Sequence, residues 1–317
     1  MEFCDVLIAG AGAAGMACAL TLAKQKKRIL LVERQEHMGG VLEQCLHSGF
    51  GSRYFGREMT GTEYAKAFTE PLQKLAQEPS CGLKILTDTT VLKIRSDRTA
   101  LLSSPEGIIN AGFRKLVLAT GCRERSIYSQ LTAGVRPAGI MTCGMAQRLM
   151  NVHGLQIDDP VVILGTGDIG QIVARALIQS GKKVLCMVER NSVPGGRRRN
   201  REQCLEAFQI PVMLHSTVVR IFGDERIQGV LVRDLESGEE KRIDCRMLLT
   251  AIGLIPERDL LEPFGEELPE WIRLAGNCRV VHDVVDSVTL EAQKTAACLF
   301  PEEGSDLSSC GPVPGND

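Results

Sequence analysis

The chain has 317 residues, of which 44% are hydrophobic and 24% are charged, and its formal net charge is −2. This length predicts two domains, and the near-neutral charge argues against a nucleic-acid-binding surface. No apolar run approaches the roughly 20 residues that cross a membrane. Because a strand is expected by Phe3, there is no room for a signal peptide, and we expect a cytoplasmic protein.

In the stretch Asp5 to Glu33, two apolar runs flank a glycine-rich turn and a helix. Val6–Ala9 and Ile29–Val32 predict strands, and the helix runs from Ala13 to about Gln25. In the pattern G-x-G-x-x-G, the glycines permit a tight bend, backbone approach to a pyrophosphate and close helix packing, and an acid after the second strand binds ribose. The stretch predicts a dinucleotide site rather than a glycine-rich turn without a ligand. The expected contacts are Gly10, Gly12, Ala13, Ala14, Gly15, Glu33 and Arg34.

The loop from His37 to Gly51 carries four glycines between Gly39 and Gly51. They argue for close backbone approach to a ligand, with a plain surface loop as the alternative. A helix is then predicted from Thr60 to Ala76, capped by Thr60 or Thr62. Pro71 within it predicts a kink or a break.

Short β segments from Lys84 to Ala111 predict an antiparallel meander. A buried strand from Lys115 to Ala119 follows and ends in Thr120-Gly121. The first part of the chain is thus a β-α-β nucleotide domain with a small antiparallel insertion.

The same pattern recurs later in the chain. Val161–Leu164 precedes Gly165-Thr166-Gly167-Asp168-Ile169-Gly170, a helix follows to Ser180, and the strand Lys183–Val188 ends in Glu189. Further strands are predicted at Val212–His215, Val218–Phe222, Ile227–Arg233 and Arg242–Ala251. The chain is therefore α/β, with two Rossmann-like dinucleotide-binding domains that each carry a β-meander insertion.

Two charged features of the second domain leave alternatives open. Asp168 at the helix start is either a helix cap or a charge that weakens pyrophosphate binding. The cluster Arg197 to Arg199 is either a solvated basic face or a contact for cofactor phosphates or an acidic partner.

The ordered set of motifs resembles the pyridine-nucleotide–disulfide oxidoreductase superfamily, with spacing most similar to thioredoxin reductase. The motifs are the two glycine turns, Gly39-Gly40, Ala119-Thr120-Gly121, Ala251–Pro256 and Ala275-Gly276-Asn277. The segments GGVLEQCLHSGFG, RPAGIMTCGMAQRL and HDVVDSVTLEA resemble the small flavoprotein subunit found beside glycerol-3-phosphate-dehydrogenase-like proteins. That group is related to subunits of hydrogen cyanide synthase and dye-linked amino-acid dehydrogenases. The resemblance extends from about Asp5 to Leu299.

The resemblance implies FAD in the first domain and a nicotinamide nucleotide in the second, which is inserted into the first. The implied segments are 1–123 and 251–300 for FAD and 124–250 for NAD(P), and we expect a disordered tail over 301–317. Further FAD contacts implied are Val91, Ala119, Thr120, Gly121, Gly253, Gly276, Asn277, Val284 and Val285, besides Gly39, Gly40 and Val41. The helix from about Asp283 would point its positive end at the flavin. Nicotinamide-nucleotide contacts implied are Gly165, Gly167, Asp168, Ile169, Gly170, Glu189 and Arg190.

The chain departs from the family pattern in its cysteines. It has 12 cysteines, none in C-x-x-C spacing. Cys143 stands alone where thioredoxin reductases carry a pair, and Cys45 stands alone where glutathione-reductase relatives carry one. We therefore expect no redox-active disulfide and no metal site, with Cys45 a loop thiol and Cys143 a small buried residue.

The leading hypothesis is an FAD-dependent oxidoreductase that exchanges hydride with NAD(H), with NADP(H) less favoured because Glu189 opposes a 2′-phosphate. Relatives act in complexes, so the expected partners are a second flavoprotein dehydrogenase subunit together with an iron–sulfur or cysteine-rich subunit, in an oligomer. One alternative is a dehydrogenase that acts directly on a small amine or hydroxy acid. Its candidate catalytic residues are Cys45, His47, His282 and Asp283. Another is a non-catalytic subunit that binds nucleotides only to hold a complex together.

Overall fold

The computed structural model describes residues 2–78, 80–130 and 132–300. Internal contacts divide the chain into two compact units. One runs to Arg123 and resumes at Pro256, and the other comprises Glu124–Ile255. The second unit is thus inserted, in sequence, within the first. The predicted disordered tail, 301–317, lies outside the described residues.

Both units are α/β, which confirms the predicted fold class. The strands are β1 (Glu2–Ala9), β2 (Ile29–Val32), β3 (Ser48–Phe50), β4 (Met59–Thr60), β5 (Leu83–Leu86), β6 (Thr90–Ile94), β7 (Thr99–Ser104), β8 (Gly107–Leu118), β9 (Cys122–Glu124), β10 (Ala133–Gly134), β11 (Ile140–Thr142), β12 (Val161–Leu164), β13 (Val184–Val188), β14 (Val212–Met213), β15 (Ser216–Gly223), β16 (Ile227–Asp234), β17 (Glu240–Asp244), β18 (Met247–Thr250), β19 (Leu254–Pro256) and β20 (Ile272–Leu274). The helices are α1 (Ala13–Lys24), α2 (Gly61–Ala76), α3 (Cys143–Asn151), α4 (Asp168–Gln179), α5 (Arg198–Asn200) and α6 (Val285–Ala297).

The first unit is built on a seven-stranded sheet of order β5-β2-β1-β8-β7-β6, with β20 beside β8. Strands β5, β2, β1, β8 and β20 are parallel, and β6, β7 and the start of β8 form the antiparallel meander. The second half of β1, from Val6 to Ala9, is apolar and buried on both faces, as is typical of central parallel strands. Val6 and Ile8 pack with the helices, whereas Leu7 and Ala9 pack in the cluster that contains the meander.

Two predictions in the first unit need correction. The segment predicted as meander from Lys84 is split, because β5 pairs with β2 in the parallel part of the sheet. The predicted strand Lys115–Ala119 is the end of the long strand β8, whose first part pairs in the meander and whose second part pairs in the parallel region of the sheet.

Pro71 lies inside α2 without ending it. The capping box between Thr60 and Glu63 confirms the predicted cap.

The second unit repeats this plan with a parallel sheet of order β11-β18-β12-β13-β14 and an antiparallel sheet β10-β15-β16-β17, in which β10 is parallel to β15. Val161 and Ile163 pack with the helices, and Val162 and Leu164 pack in the cluster that contains the antiparallel sheet. The single strand predicted from Arg242 to Ala251 is wrong, because β17 belongs to the antiparallel sheet and β18 to the parallel one.

Candidate nucleotide-binding sites

In the first unit, four parallel strands end at one edge of the sheet, and a predicted motif follows each of them. Hydrogen bonds fix this edge: Gly10 N donates to Val32 O (2.8 Å), Ala119 N to Ala9 O (2.8 Å) and Ala275 N to Leu118 O (2.9 Å). The first glycine turn, Glu33, Ala119–Gly121 and Gly276-Asn277 are therefore neighbours at the carboxyl edge. This is where open α/β sheets bind ligands.

The first glycine turn has room for a ligand at one position only. A Cβ at Gly10, whose φ is 103°, would lie 2.5 Å from Ala119 O. One at Gly15 would collide with the Gly10 carbonyl. A Cβ at Gly12 would meet nothing within 4 Å. The open space over Gly12, at the start of α1, suits a pyrophosphate.

Glu33 is buried and fastens the glycine turn from the end of β2. Its carboxylate accepts hydrogen bonds from Ala11 N (2.8 Å) and Gln35 N (3.0 Å). The following Arg34 is exposed. A carboxylate held in this way is already oriented toward the turn, beside the position expected for a ribose.

The glycine pair after Glu33 lies against the same turn. Gly39 N donates to Ala11 O (2.8 Å), and a Cβ at Gly40 would lie 3.1 Å from Gly12 Cα. Gly40 therefore permits a close approach of loop and turn, and a side chain at this position would crowd Gly12. Val41, which follows, is 66% exposed.

The far side of this edge contains Gly276 and Asn277. A Cβ at Gly276 would lie 2.7 Å from Ala14 Cβ, so this turn packs on the start of α1. Asn277 Oδ1 accepts from His282 N (3.1 Å), and its amide donates to Cys122 Sγ (3.6 Å). Asn277 is thus oriented by protein contacts.

The other implied contacts are placed as follows. Thr120 Oγ1 donates to Glu257 O (2.6 Å), while Gly121 O accepts from Glu257 N (2.9 Å). Val91 is half-buried in β6 and pairs with Leu102. The backbone two residues before it, Thr89 N, donates to Glu33 O (2.9 Å), which brings the start of the meander to the ribose end of the site.

The four catalytic candidates differ in burial and in hydrogen-bond partners. Cys45, the expected loop thiol, is only 8% exposed, and burial raises its pKa to about 12, so it is protonated at neutral pH. His47 Nδ1 donates to Ser48 O (2.9 Å), and its ring lies against Phe50. His282 Nε2 is buried without a partner among the described residues. Asp283 is exposed.

One functional residue of the first unit escaped the sequence analysis. Asp286, in the first turn of α6, is buried and accepts from Gly51 N (3.1 Å) and Arg53 N (2.8 Å). Gln293 donates to Tyr54 Oη (2.6 Å) from the same helix. Asp286 thereby fixes the glycine-rich loop on α6, and its charge offsets part of the positive helix end predicted to face the flavin. The only local signal was an acid in the first helical turn.

The second unit reproduces the first edge closely. Gly165 N donates to Val188 O (2.7 Å), and Ala251 N donates to Leu164 O (2.7 Å). Buried Glu189 accepts from Thr166 N (3.1 Å), Thr166 Oγ1 (2.5 Å) and Asn191 N (3.0 Å), and its two backbone donors are equivalent to those of Glu33. A Cβ at Gly170 would lie 2.9 Å from Gly165 O, and one at Gly167 would meet only Ala251 O, at 3.8 Å. The space over Gly167 is therefore open.

Asp168 does not cap α4, which removes one of the two alternatives for this residue. The N-cap is Gly167, and the Asp168 carboxylate accepts instead from Arg197 N (2.7 Å), Arg197 Nε (3.0 Å) and Asn200 Nδ2 (2.7 Å). Ile169 follows in the same turn, and Arg190 after the strand is exposed. By its contacts, the turn Ala251–Gly253 lies in the second compact unit. The contact of Gly253 with FAD stays a prediction.

Within residues 2–78, 80–130 and 132–300, no cluster of three or more His, Cys, Asp or Glu side chains is placed to hold a metal ion. In the same ranges, no helix has the length and apolar composition needed to span a membrane.

The pyridine nucleotide-disulphide oxidoreductase family model matches residues 4–285. The chain belongs to this family. Membership confirms the resemblance drawn from the motifs and makes the chain a flavin-dependent oxidoreductase by family. The family implies that FAD and NAD(P)H are bound, and the two glycine turns with their buried acids fit that requirement in each unit.

Curated relatives share the sequence over most of the chain. An opine oxidase subunit from Rhizobium meliloti is 28% identical over 84% of the chain, which spans 53% of that protein. Thioredoxin reductase of Treponema pallidum (strain Nichols) is 25% identical over 81% of the chain and 78% of that protein. The chain therefore spans about half the length of the opine oxidase relative.

Among solved structures, T. acidophilum thioredoxin reductase matches with a TM-score of 0.73 over 94% of this chain and 98% of that one. The identity is 20%, so the match concerns the fold.

Proposed function

We propose that the protein binds FAD at the first glycine turn and NADH at the second, and passes reducing equivalents onward within a larger dehydrogenase complex. The repeated edge geometry carries this proposal: two open glycines, Gly12 and Gly167, each lie beside a buried, backbone-bonded glutamate. Bound together, FAD and a nicotinamide supply hydride exchange between nicotinamide and flavin.

In this scheme, the residues of the chain bind the two cofactors and orient them. The first turn of α1 offers free N–H groups to the FAD pyrophosphate over Gly12, and Glu33 is positioned for the adenosine ribose. Gly39-Gly40 and Asn277 form two further parts of the same edge. Such positioning is the protein's main contribution where the cofactors carry the chemistry.

Glu189 supports NADH over NADPH. It lies at the end of β13, where a 2′-phosphate of about −1.5 to −2 charges would approach its carboxylate. Two like charges at about 4 Å repel by roughly 4 kcal/mol at an effective dielectric constant of 20. The exposed Arg190 and Arg197 offset part of this repulsion, so the preference is for NADH without being absolute.

We propose that the flavin passes its electrons to a partner protein rather than to an acceptor within this chain. The partner would therefore dock near the edge of the flavin. The candidate surface comprises Cys45–Tyr54 and Arg279–Asp283, where Leu46 is 54% and Val280 is 46% exposed. The Rhizobium meliloti relative is named as one subunit of opine oxidase, which supports action within a complex. The partners that we propose are a second flavoprotein and an iron–sulfur or cysteine-rich chain. A cytoplasmic location and an oligomeric state belong to the same proposal.

A second candidate function is a dehydrogenase acting directly on a small amine or hydroxy acid. The observation that favours it is the buried, unpartnered Nε2 of His282, within the part of the chain that the structure describes. A proton acceptor beside the flavin edge suits such a reaction.

Anaerobic absorbance of the purified protein separates these functions. Bleaching of the bound flavin by NADH supports the proposal, and bleaching by an amine or hydroxy acid without NADH supports the second candidate. A colourless protein that binds nucleotides without redox chemistry would contradict both. For the complex, co-purification of a second flavoprotein supports the proposal. Turnover of a metabolite with NADH by the isolated chain at about 1–10³ s⁻¹ would contradict it.

A further inference from the structure

The loop after β13 folds onto the second glycine turn. Gly195-Gly196 follow Glu189 at the same spacing as Gly39-Gly40 follow Glu33. Gly195 N donates to Thr166 Oγ1 (2.7 Å), and Gln171 Nε2 donates to Gly195 O (2.9 Å). Gly196 has a φ of 73°, a conformation that favours glycine, and a Cβ there would lie 2.9 Å from Asp168 Oδ1.

The Asp168 carboxylate accepts hydrogen bonds from the residues that follow this glycine pair. Its oxygens accept hydrogen bonds from Arg197 N (2.7 Å), Arg197 Nε (3.0 Å) and Asn200 Nδ2 (2.7 Å). A guanidinium, a backbone N–H and a side-chain amide are the donors that proteins use for phosphate oxygens. The carboxylate therefore engages, at the start of α4, a donor set suited to a pyrophosphate.

The ion pair between Arg197 and Asp168 is accessible enough to solvent for Arg197 to exchange one partner for another. The Arg197 side chain is 47% exposed and that of Asp168 is 29% exposed. Exposed ion pairs contribute little to stability, so breaking this one costs little. The space over Gly167 is open beside it.

We infer that Arg197 and Asn200 bind the pyrophosphate of the dinucleotide in the second unit, and that Asp168 is its internal competitor. On binding, the pyrophosphate replaces the carboxylate as partner of Arg197 and Asn200, and Asp168 turns to solvent. This rests on the proposed function, since it assumes a dinucleotide at the second turn. Because the negative charge of Asp168 repels the incoming pyrophosphate, this competition lowers the affinity of the site for the dinucleotide.

The test measures binding of NAD⁺, which cannot reduce the flavin, to the FAD-loaded full chain by calorimetry. Asp168→Asn keeps the size of the side chain and removes the charge, so the Kd should fall on the order of tenfold at low salt and less at high salt. Arg197→Met should raise the Kd by a similar factor. Arg198→Met is the matched control, because Arg198 pairs with Glu202 and not with Asp168, and its Kd should change less than about threefold.

The outcomes of this test distinguish a competitor role of Asp168 from a structural role. Tighter binding in Asp168→Asn is a change that a merely structural residue would not produce. Unchanged or weaker binding in that variant, with normal binding by the parent protein, overturns this inference and leaves the proposed function standing. If neither protein binds NAD⁺ and NADH does not bleach the flavin, the inference and the nicotinamide part of the proposed function both fail.

Discussion

The two glycine turns have matching backbones and differ in the first side chain of the helix that follows. Ala13 begins α1 without charge, whereas Asp168 begins α4 and holds Arg197 and Asn200. Behind both turns, a buried glutamate accepts the same two backbone N–H groups. The shared frame thus supports two dinucleotides. Under the proposed function and the inference on Asp168, this difference would suit the first turn to a permanently bound cofactor and the second to a nucleotide that exchanges with solution.

The largest effect is expected from filling the open space over each turn. Gly12 and Gly167 have φ of −74° and −61°, and a Cβ added at either would meet no atom closer than 3.8 Å, so we expect the valine variants to fold. Gly12→Val should weaken FAD by at least about a hundredfold and give apoprotein. Gly167→Val should keep its flavin and lose reduction by NADH. Full flavin occupancy in Gly12→Val, measured by absorbance, would sink the assignment of the first turn.

A smaller effect is expected from the acid of the second site. Glu189→Gln should shift the ratio of kcat/KM toward NADPH by roughly tenfold, once the unscreened repulsion is reduced by solvent and salt. Glu206→Gln, an exposed acid of the same unit, is the control and should leave the ratio unchanged. A parent protein that already prefers NADPH in both KM and kcat would overturn the nucleotide choice.

The acids in the first turns of α6 and α4 can be compared directly. Asp286→Ala leaves the N–H groups of Gly51 and Arg53 without their buried acceptor, so the free energy of unfolding of the first unit should fall by about 2 kcal/mol. The loop should also become more sensitive to protease. Asp283→Ala is the exposed control. Asp168→Ala should have a smaller effect on unfolding, because its ion pair is accessible; equal losses for both variants would contradict this ordering.

The smallest effect at neutral pH is expected from the buried thiol of the first unit, which acts only in alkaline solution. Burial raises the pKa of Cys45 from 9.0 to about 12, so the folded protein keeps a proton that the unfolded chain loses. Stability from this group is complete below pH 9 and is lost between about pH 9 and 12, with a slope of at most about 1.4 kcal/mol per pH unit. Urea unfolding of Cys45→Ala should lack this part of the alkaline loss. An identical pH profile for parent and variant would show that the thiol ionises freely in the fold.

Local patterns predicted the glycine turns, the buried acids and the parallel strands, because each depends on residues close in sequence. The same patterns failed at β8, which joins the parallel and antiparallel parts of one sheet, and at Arg242–Ala251, which splits into strands of two sheets. Contacts between distant residues were also missed. Asp286 binds a loop 235 residues away, and Asp168 binds Arg197 29 residues away, and an acid in a first helical turn gives no sign of either partner.

The central claim is that NADH at the second site reduces FAD at the first, without a catalytic disulfide formed by Cys45 or Cys143. Both cysteines are free, buried thiols whose pKa is raised by burial. An anaerobic titration of the FAD-loaded protein with NADH, followed by flavin absorbance, tests this most directly. The account predicts full bleaching near one equivalent of NADH per flavin, and the same endpoint in a variant with both cysteines replaced by serine. A parent protein that needs two equivalents, with the variant needing one, would contradict it, as would a flavin that NADH leaves oxidised.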